Sequence, residues 1–257
     1  MEYIVICLAA FFTSALTLFA GFGLGTLLLP VFALFFPLPV AIALTSVVHL
    51  LNNFFKLALV GKYANRQTVL RFGLPALIAS FLGAWLLVWL SGMQYNYSYM
   101  FAGRILEITP VKLIIAALLA VFAIMEFRPV SNTYIFSAKY LPAGGVISGF
   151  FGGLSGHQGA LRSAFLIQAG LSKEAFIGTG VVIAVLVDIS RLFVYGTRFL
   201  GDAVAANRWM LAAAIASAFA GAYLGNKFLK KVTITAIKYL VTVLLLVVAV
   251  LMGMGAI

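Results

Sequence analysis

Long apolar segments are the feature that most constrains what this chain can fold into. Hydrophobic residues fill 64% of its 257 positions and charged residues only 9%, more apolar surface than a water-soluble domain can hide. A bilayer core takes roughly 20 apolar residues per helical crossing, so the length allows about eight to ten crossings. Because backbone groups in lipid must bond internally, the segments are predicted to be helices of an all-α polytopic membrane protein. They cover residues 3–20, 26–36, 39–60, 72–91, 111–127, 141–154, 159–169, 175–195, 209–226 and 238–256.

The net charge of +11 would favour a nucleic-acid partner in a soluble protein. Here the lysines and arginines lie mostly between apolar segments, where the positive-inside rule places them. We therefore expect the lipid bilayer as the surroundings of the chain and no nucleic-acid partner. No basic residue precedes the first segment and Glu2 stands at its start, so we expect that segment to be retained rather than cleaved as a signal peptide.

Two segments, 26–36 and 159–169, are too short to span a bilayer, and each follows a glycine cluster. The clusters read GFGLG at 21–25 and GGLSGHQG at 152–159. A break in a helix at membrane depth is tolerated only where it is buried in protein or lines a cavity. The two clusters therefore predict two interior breaks.

An internal repeat relates the two halves of the chain. We predict a first membrane repeat in residues 1–127, a connecting loop at 128–140 and a second membrane repeat in residues 141–257, each repeat with about five helical segments. The matching blocks are GFGLGTLLLP (21–30) with GLSGHQGALR (153–162), AIALTS (41–46) with AFIGTG (175–180), NFFKLALVG (53–61) with DISRLFVYG (188–196), ANR (64–66) with ANR (206–208), and GAWL (83–86) with GAYL (221–224).

The loop charges favour a helical hairpin at each glycine break. Ten loop lysines and arginines lie on one side of the membrane and four on the other with hairpins in both halves or in the second half alone, whereas single broken spans give seven on each side. We favour hairpins in both halves, because a hairpin in only one would make the halves unlike. Five segments per half then make the repeats inverted and both termini extracytoplasmic. Inverted repeats with broken helices are a recurring design of secondary transporters, whose substrate site lies at the repeat interface near the midplane.

Donor groups at the two breaks form the candidate substrate site. The free N–H groups and the positive dipole end of a helix N-terminus bind anions, and Arg162, one turn into the second short helix, adds a full charge. Packing of small residues is the competing interpretation, since Gly21 and Gly25 form a GxxxG motif. The candidate substrate-binding residues are Gly23, Gly25, Thr26, Asn52, Asn53, Ser155, Gly156, His157, Gln158, Gly159 and Arg162.

Three ionisable residues inside the segments are candidates for charge tuning or ion coupling: Lys56, Asp188 and Arg191. An ionisable residue inside a membrane-spanning segment is expected to have a functional role, because its burial in lipid is costly. The competing interpretations are a structural pair between Asp188 and Arg191, one helical turn apart, and basic side chains that reach the headgroups. His49 is balanced between a functional role and a satisfied polar group, and His157 could take up a proton near neutral pH.

Signatures of other chemistry are absent from the sequence. It has no P-loop, no cysteine and histidine cluster with metal spacing, and no HExxH or GxSxG motif. We therefore expect no ATP hydrolysis, no cofactor, no metal and no enzymatic activity.

The doubled motif resembles the TauE/SafE family of membrane anion transporters, which includes sulfite and organosulfonate exporters. GFGLGTLLLP, the following AIALTS and their repetition carry the resemblance over essentially the whole chain. It implies a multi-pass secondary transporter of the cytoplasmic (inner) membrane that moves sulfite, a sulfonate or a related oxyanion by alternating access. The second turn departs from the family pattern of three glycines and a helix that ends in proline. Ser155, Gly156 and His157 stand at the glycine positions and Arg162 at the proline position, which implies a divergent subgroup.

Two other classes of function stay open on the sequence: a passive anion channel and a non-transporting membrane assembly partner. If the protein is a carrier, we also expect a proton or another coupling ion to bind to it. The chain could act as a monomer or as a homo-oligomer.

Overall fold

The computed structural model describes residues 1–20, 24–127, 138–198, 200–228 and 234–257. In these residues it has eleven helices apart from short 3₁₀ turns, and the predicted all-α class is confirmed. The helices are α1 (Glu2–Ala20), α2 (Leu24–Ala33), α3 (Leu38–Val60), α4 (Arg66–Ser91), α5 (Pro110–Phe127), α6 (Leu141–Ser155), α7 (Gly159–Leu166), α8 (Lys173–Tyr195), α9 (Leu200–Ala206), α10 (Arg208–Phe228) and α11 (Ile234–Gly253).

All ten predicted apolar segments coincide with helices, with ends that differ by a few residues. Two elements were not predicted: helix α9 and a hairpin of strands β1 (Tyr97–Phe101) and β2 (Arg104–Ile108). The hairpin turns at Ala102 and Gly103, whose φ angles are 49° and 77°. Such positive angles are typical of a two-residue turn between antiparallel strands.

Among the described residues, three helices are long and apolar enough to cross a membrane. These stretches are Leu38–Tyr63, Arg66–Ser91 and Lys173–Tyr195. The pair Leu200–Ala206 and Arg208–Gly225, bent by 85°, brings the number to four if it counts as one span. The structure also describes shorter apolar helices, over Glu2–Leu16, Leu24–Ala33, Pro110–Met125, Leu141–Ser155 and Thr242–Gly253.

The main helix contacts join the first half of the chain to the second. Helix α1 packs on α10, α6 on α4, α3 on α8, and α5 on α11. The pairing is reciprocal, since the first helix of each half lies against a long helix of the other. The core is therefore shared between the halves.

Glycines permit the contacts of α6 with α4 and of α10 with α1. A Cβ on any of four glycines would overlap the backbone of the facing helix, so only glycine fits there. The contacts are Gly149 with Ala76 and Gly153 with Ser80 between α6 and α4, and Gly221 with Phe11 and Gly225 with Ala15 between α10 and α1. In each pair of helices the numbers of the contacting residues increase together, so the two helices are parallel.

The second glycine break is a hairpin. Gly152 of α6 lies beside Gln158, and Gly144 lies beside Phe165 of α7, so the two helices run antiparallel. Helix α8 is parallel to α4, because Gly73 lies beside Ile183 and Ser80 bonds to Ser190 seven residues further along both helices. Helices α6 and α8 thus run the same way, with α7 turning back between them. A hairpin at the first break and the inversion of the halves stay predictions.

Candidate functional site

A buried carboxylate, Asp188 of α8, is the centre of a polar network between α3 and α8. Its Oδ2 lies 2.6 Å from His49 Nδ1 and accepts a hydrogen bond of 3.0 Å from Asn53 Nδ2. Its Oδ1 accepts bonds of 2.6 and 3.0 Å from Nη2 and Nε of Arg191. The first half of the chain therefore bonds to Oδ2 of the carboxylate, and Arg191 of the second half bonds to Oδ1.

Helix geometry explains why these four side chains meet. His49 and Asn53 are one turn apart on α3, and Asp188 and Arg191 are one turn apart on α8, so each pair shares a face. Helix α3 crosses α8 antiparallel, with Val60 against Gly178 at the other end of the contact. All four polar side chains are buried. Burial of charges is costly unless they are paired and hydrogen-bonded. The carboxylate of Asp188 and the guanidinium of Arg191 meet this condition by bonding to each other.

Gly25, the last residue of the first glycine cluster, lies next to the second glycine turn and to this network. A Cβ on Gly25 would stand 3.5 Å from the carbonyl oxygen of Gly156 and 3.9 Å from the His49 ring. Gly156 has a φ of 83°, a left-handed conformation that favours glycine. A Cβ there would stand 2.7 Å from Nη1 of Arg191. The guanidinium that pairs with Asp188 therefore also lies against the second turn.

The polar side chains of the second turn bond to one another. His157 Nδ1 lies 3.1 Å from Ser155 Oγ, and Arg162 donates a bond of 3.3 Å to the side-chain oxygen of Gln158. The His157 ring stacks on Phe122 of α5 with centroids 5.4 Å apart and an angle of 2° between the planes. Phe122 thus fixes the orientation of the His157 ring, and the edge of the His157 ring remains available for a polar contact.

Four buried polar atoms among the described residues have no hydrogen-bond partner. Two belong to the first half, Thr45 Oγ1 and Asn52 Nδ2, and two to the second, His157 Nε2 and Gln158 Nε2. Buried polar atoms are nearly always bonded, and an unpartnered one costs about 1–3 kcal/mol. Their concentration on α3 and at the second break is typical of a binding site for a polar ligand.

Cationic side chains outnumber carboxylates around the turns. Lys56 of α3 is buried and lies close enough to Arg162 for their charges to interact. Arg162 in turn interacts electrostatically with Asp188. With Arg191, three cations face one carboxylate here, and the excess positive charge favours an anion.

The structure brings together most of the residues that the sequence selected. Asn52 is turned toward α1, where its Oδ1 accepts a bond of 3.1 Å from Ser14. Thr26 and Gly159 are buried at the first turns of α2 and α7, and Gly23 lies outside the described residues. No group of three metal-binding side chains occurs in the part of the chain that the structure describes.

Three neighbours of the site were missed or left undecided: His49, Thr45 and Phe122. Thr45, His49 and Asn53 recur every four residues on one face of α3, and this polar spacing in an apolar helix is the signal that could have selected them. Phe122 carries no such signal, because its role depends on how α5 packs against the second turn.

Comparison with known proteins identifies a family that the chain matches. A family model described as sulfite exporter TauE/SafE matches residues 6–252. Neither the curated proteins nor the solved structures contain a match to the chain.

Proposed function

The chain belongs to the sulfite exporter TauE/SafE family, and from that premise we propose that it is a secondary transporter that moves a sulfur oxyanion or sulfonate across the cytoplasmic membrane by alternating access. Members of this family transport anions across membranes and are not enzymes. Together with the spanning helices, this makes the chain an integral membrane protein for anion transport. The substrate, the cycle and the membrane are the proposed parts.

The observation that carries the proposal is the set of unpartnered atoms beside an excess of positive charge. A tetrahedral or pyramidal oxyanion presents several oxygens, each able to accept hydrogen bonds. Asn52 Nδ2 and Gln158 Nε2 are amide donors, and the hydroxyl of Thr45 can also donate. An anion bound to these donors would satisfy them and balance the cations nearby.

The second turn would supply the remaining contacts. The first N–H groups of α7 have no partner inside the helix and carry partial positive charge. Arg162, on the first turn of α7, adds a full charge on the same side of the turn. Gly25 from the first half approaches Gly156, so an anion at this point would touch both halves.

Alternating access would follow from the way the halves share their contacts. Asp188 of the second half contacts His49 and Asn53 of the first half, so motion of the halves against each other requires these two contacts to change. A proton that neutralised the carboxylate would weaken the connection between the halves. Coupling of transport to a proton is therefore part of the proposal.

The test is ligand-dependent stabilisation of the purified protein. Sulfite, thiosulfate, methanesulfonate and sulfate are each added, and the thermal unfolding temperature is measured. At least one sulfur oxyanion should raise it in the wild type and not in Arg162→Ala. Arg198→Ala, which removes an exposed arginine after α8, should keep the response. The same loss in both variants, or no response to any anion, would contradict the proposal.

Transport itself is measured in liposomes. A carrier should show saturable uptake and exchange external anion for anion loaded inside, whereas a channel should conduct without saturation. Uptake that saturates and accelerates with internal anion supports the cycle proposed here. Electrical conductance without exchange would assign the site to a channel.

A further inference from the structure

A shallow groove lies on the surface between α4 and α6. Its volume is about 590 Å³, and its lining is apolar apart from Arg71 at one end. The walls include Leu70, Leu74, Ile78 and Leu82 of α4 and Pro142 and Val146 near the start of α6. Ile78 and Leu82 are 66% and 60% exposed, so the groove opens toward the surroundings of the protein.

The groove results from the close contact of α4 with α6. Gly145 and Gly149 bring α6 against the backbones of Phe72 and Ala76, so no bulky side chain of α6 fills the space beside that contact. Pro75 and Pro142 add compact rings to its walls. The depression is therefore a fixed consequence of how the helices pack.

The dimensions match one leaflet of a bilayer. From Leu70 to Leu82 the helix rises about 18 Å, at 1.5 Å per residue. This is a little more than half of the roughly 30 Å hydrocarbon core. A single acyl chain that enters at the Arg71 end would follow the groove to about the midplane.

Positive charge is concentrated at one end of the groove. Arg71 lines it, and Lys62, Arg66 and Lys139 are exposed in the segments that lead into α4 and α6. Basic residues near a membrane surface each favour anionic lipid by about 1 kcal/mol. The loop charges predict that this end faces the cytoplasm, where anionic lipids are enriched.

We propose that the groove between α4 and α6 binds an anionic phospholipid, with one acyl chain along Leu74, Ile78 and Leu82 and the headgroup phosphate paired with Arg71. The site is separate from the anion site at the glycine turns, because its walls face outward. A lipid bound here would bridge α4 of the first half and α6 of the second, and would stabilise their contact.

Native mass spectrometry of the delipidated protein tests the proposal. Phosphatidylglycerol and phosphatidylcholine with the same acyl chains are added together in equal amounts. The wild type should retain the anionic lipid at least threefold more than the zwitterionic one. Arg71→Gln should bring the ratio close to one, whereas Arg198→Gln, at an exposed position outside the groove, should leave it unchanged. Equal retention of both lipids by the wild type, or an unchanged ratio in Arg71→Gln, would overturn the proposal.

Two variants that fill the groove, Val146→Trp and Leu82→Trp, test the acyl chain independently. Both positions are about half exposed or more, so the fold should accept the larger ring. Retention of both lipids should fall at least twofold in each variant, with unchanged elution from a sizing column. If instead the lipid-free wild type is a dimer and these variants dissociate it, a second copy covers the groove and the lipid proposal is wrong.

Discussion

His49 of α3 and Asp188 of α8 are joined by a contact of 2.6 Å between Nδ1 and Oδ2, across the two halves of the chain. The same carboxylate holds the guanidinium of Arg191 through its other oxygen. Because the carboxylate is fully buried, the buried guanidinium of Arg191 depends on it for neutralisation. The network connects the two halves and places a negative charge close to the proposed anion site, where it interacts with Arg162.

Replacing Asp188 by Asn should destabilise the protein strongly. Removing one partner of a buried ion pair leaves the other charge uncompensated, which costs about 3–5 kcal/mol. The unfolding temperature in detergent should therefore fall clearly for Asp188→Asn. Asp202→Asn, at an exposed position on α9, should show no such loss.

A double variant separates charge balance from packing. Asp188→Asn with Arg191→Gln removes both charges, so much of the stability lost in the single variant should return. If the double variant is as unstable as the single one, the pair is not the cause of the loss.

Alanine at Gly149 or Gly221 should disrupt the contact between the halves. A methyl group at either position overlaps the facing backbone, Ala76 or Phe11, and backbone cannot move aside as a flexible side chain can. Both variants should unfold at lower temperature and yield less folded protein. Gly201→Ala is the matched control, because nothing lies within 4 Å of a methyl group there, and it should be neutral or stabilising by up to about 1 kcal/mol. Equal behaviour of all three variants would contradict this role of the glycines.

The helices could be predicted because lipid allows only one regular structure for an apolar segment of this length. The hairpin of β1 and β2 could not, since it is exposed and turns at Ala102, a residue type that rarely adopts the positive φ found there. Helix α9 escaped prediction because its seven residues carry too little periodicity.

Only those contacts of the site that join residues of the same helix could be predicted from the sequence. The pairing of Asp188 with Arg191 follows from three residues of separation on one helix. The bond from His49 to Asp188 spans 139 positions in the sequence, and it depends on the register of α3 against α8. No pattern within either helix fixes that register.

Replacing His157 by Phe should preserve the fold and weaken binding of protonated oxyanions. The single proton of the Ser155 hydroxyl is donated to the Phe151 carbonyl at 3.1 Å, so Nδ1 of His157 donates to Ser155 and Nε2 of the neutral ring is an acceptor. An acceptor at this place would pair with an O–H group of the ligand. Phe retains the stack on Phe122 but lacks Nε2.

Two probe anions of the same charge and similar shape check this prediction. Singly protonated methylphosphonate carries an O–H group and methanesulfonate does not. The dissociation constant of His157→Phe should rise about tenfold for the phosphonate, or about 1.4 kcal/mol, and change little for the sulfonate. Equal weakening of both anions would show that Nε2 does not act as an acceptor.

Two buried threonines, Thr45 on α3 and Thr179 on α8, provide the last prediction. Thr179 Oγ1 accepts a bond of 2.9 Å from the backbone N–H of Asn65, whereas Thr45 Oγ1 has no partner among the described residues. Valine has nearly the same shape as threonine but no hydroxyl. Thr179→Val should therefore lower the unfolding temperature, by a free energy of about 1–3 kcal/mol for the N–H left unpaired, and leave anion affinity nearly unchanged. Thr45→Val should do the reverse, with stability kept or raised and affinity for the anion lowered about threefold to tenfold.

Measuring unfolding with and without anion in both variants gives the two quantities together. If Thr45→Val loses stability and keeps its affinity, the hydroxyl is structural and Thr45 does not belong to the anion site.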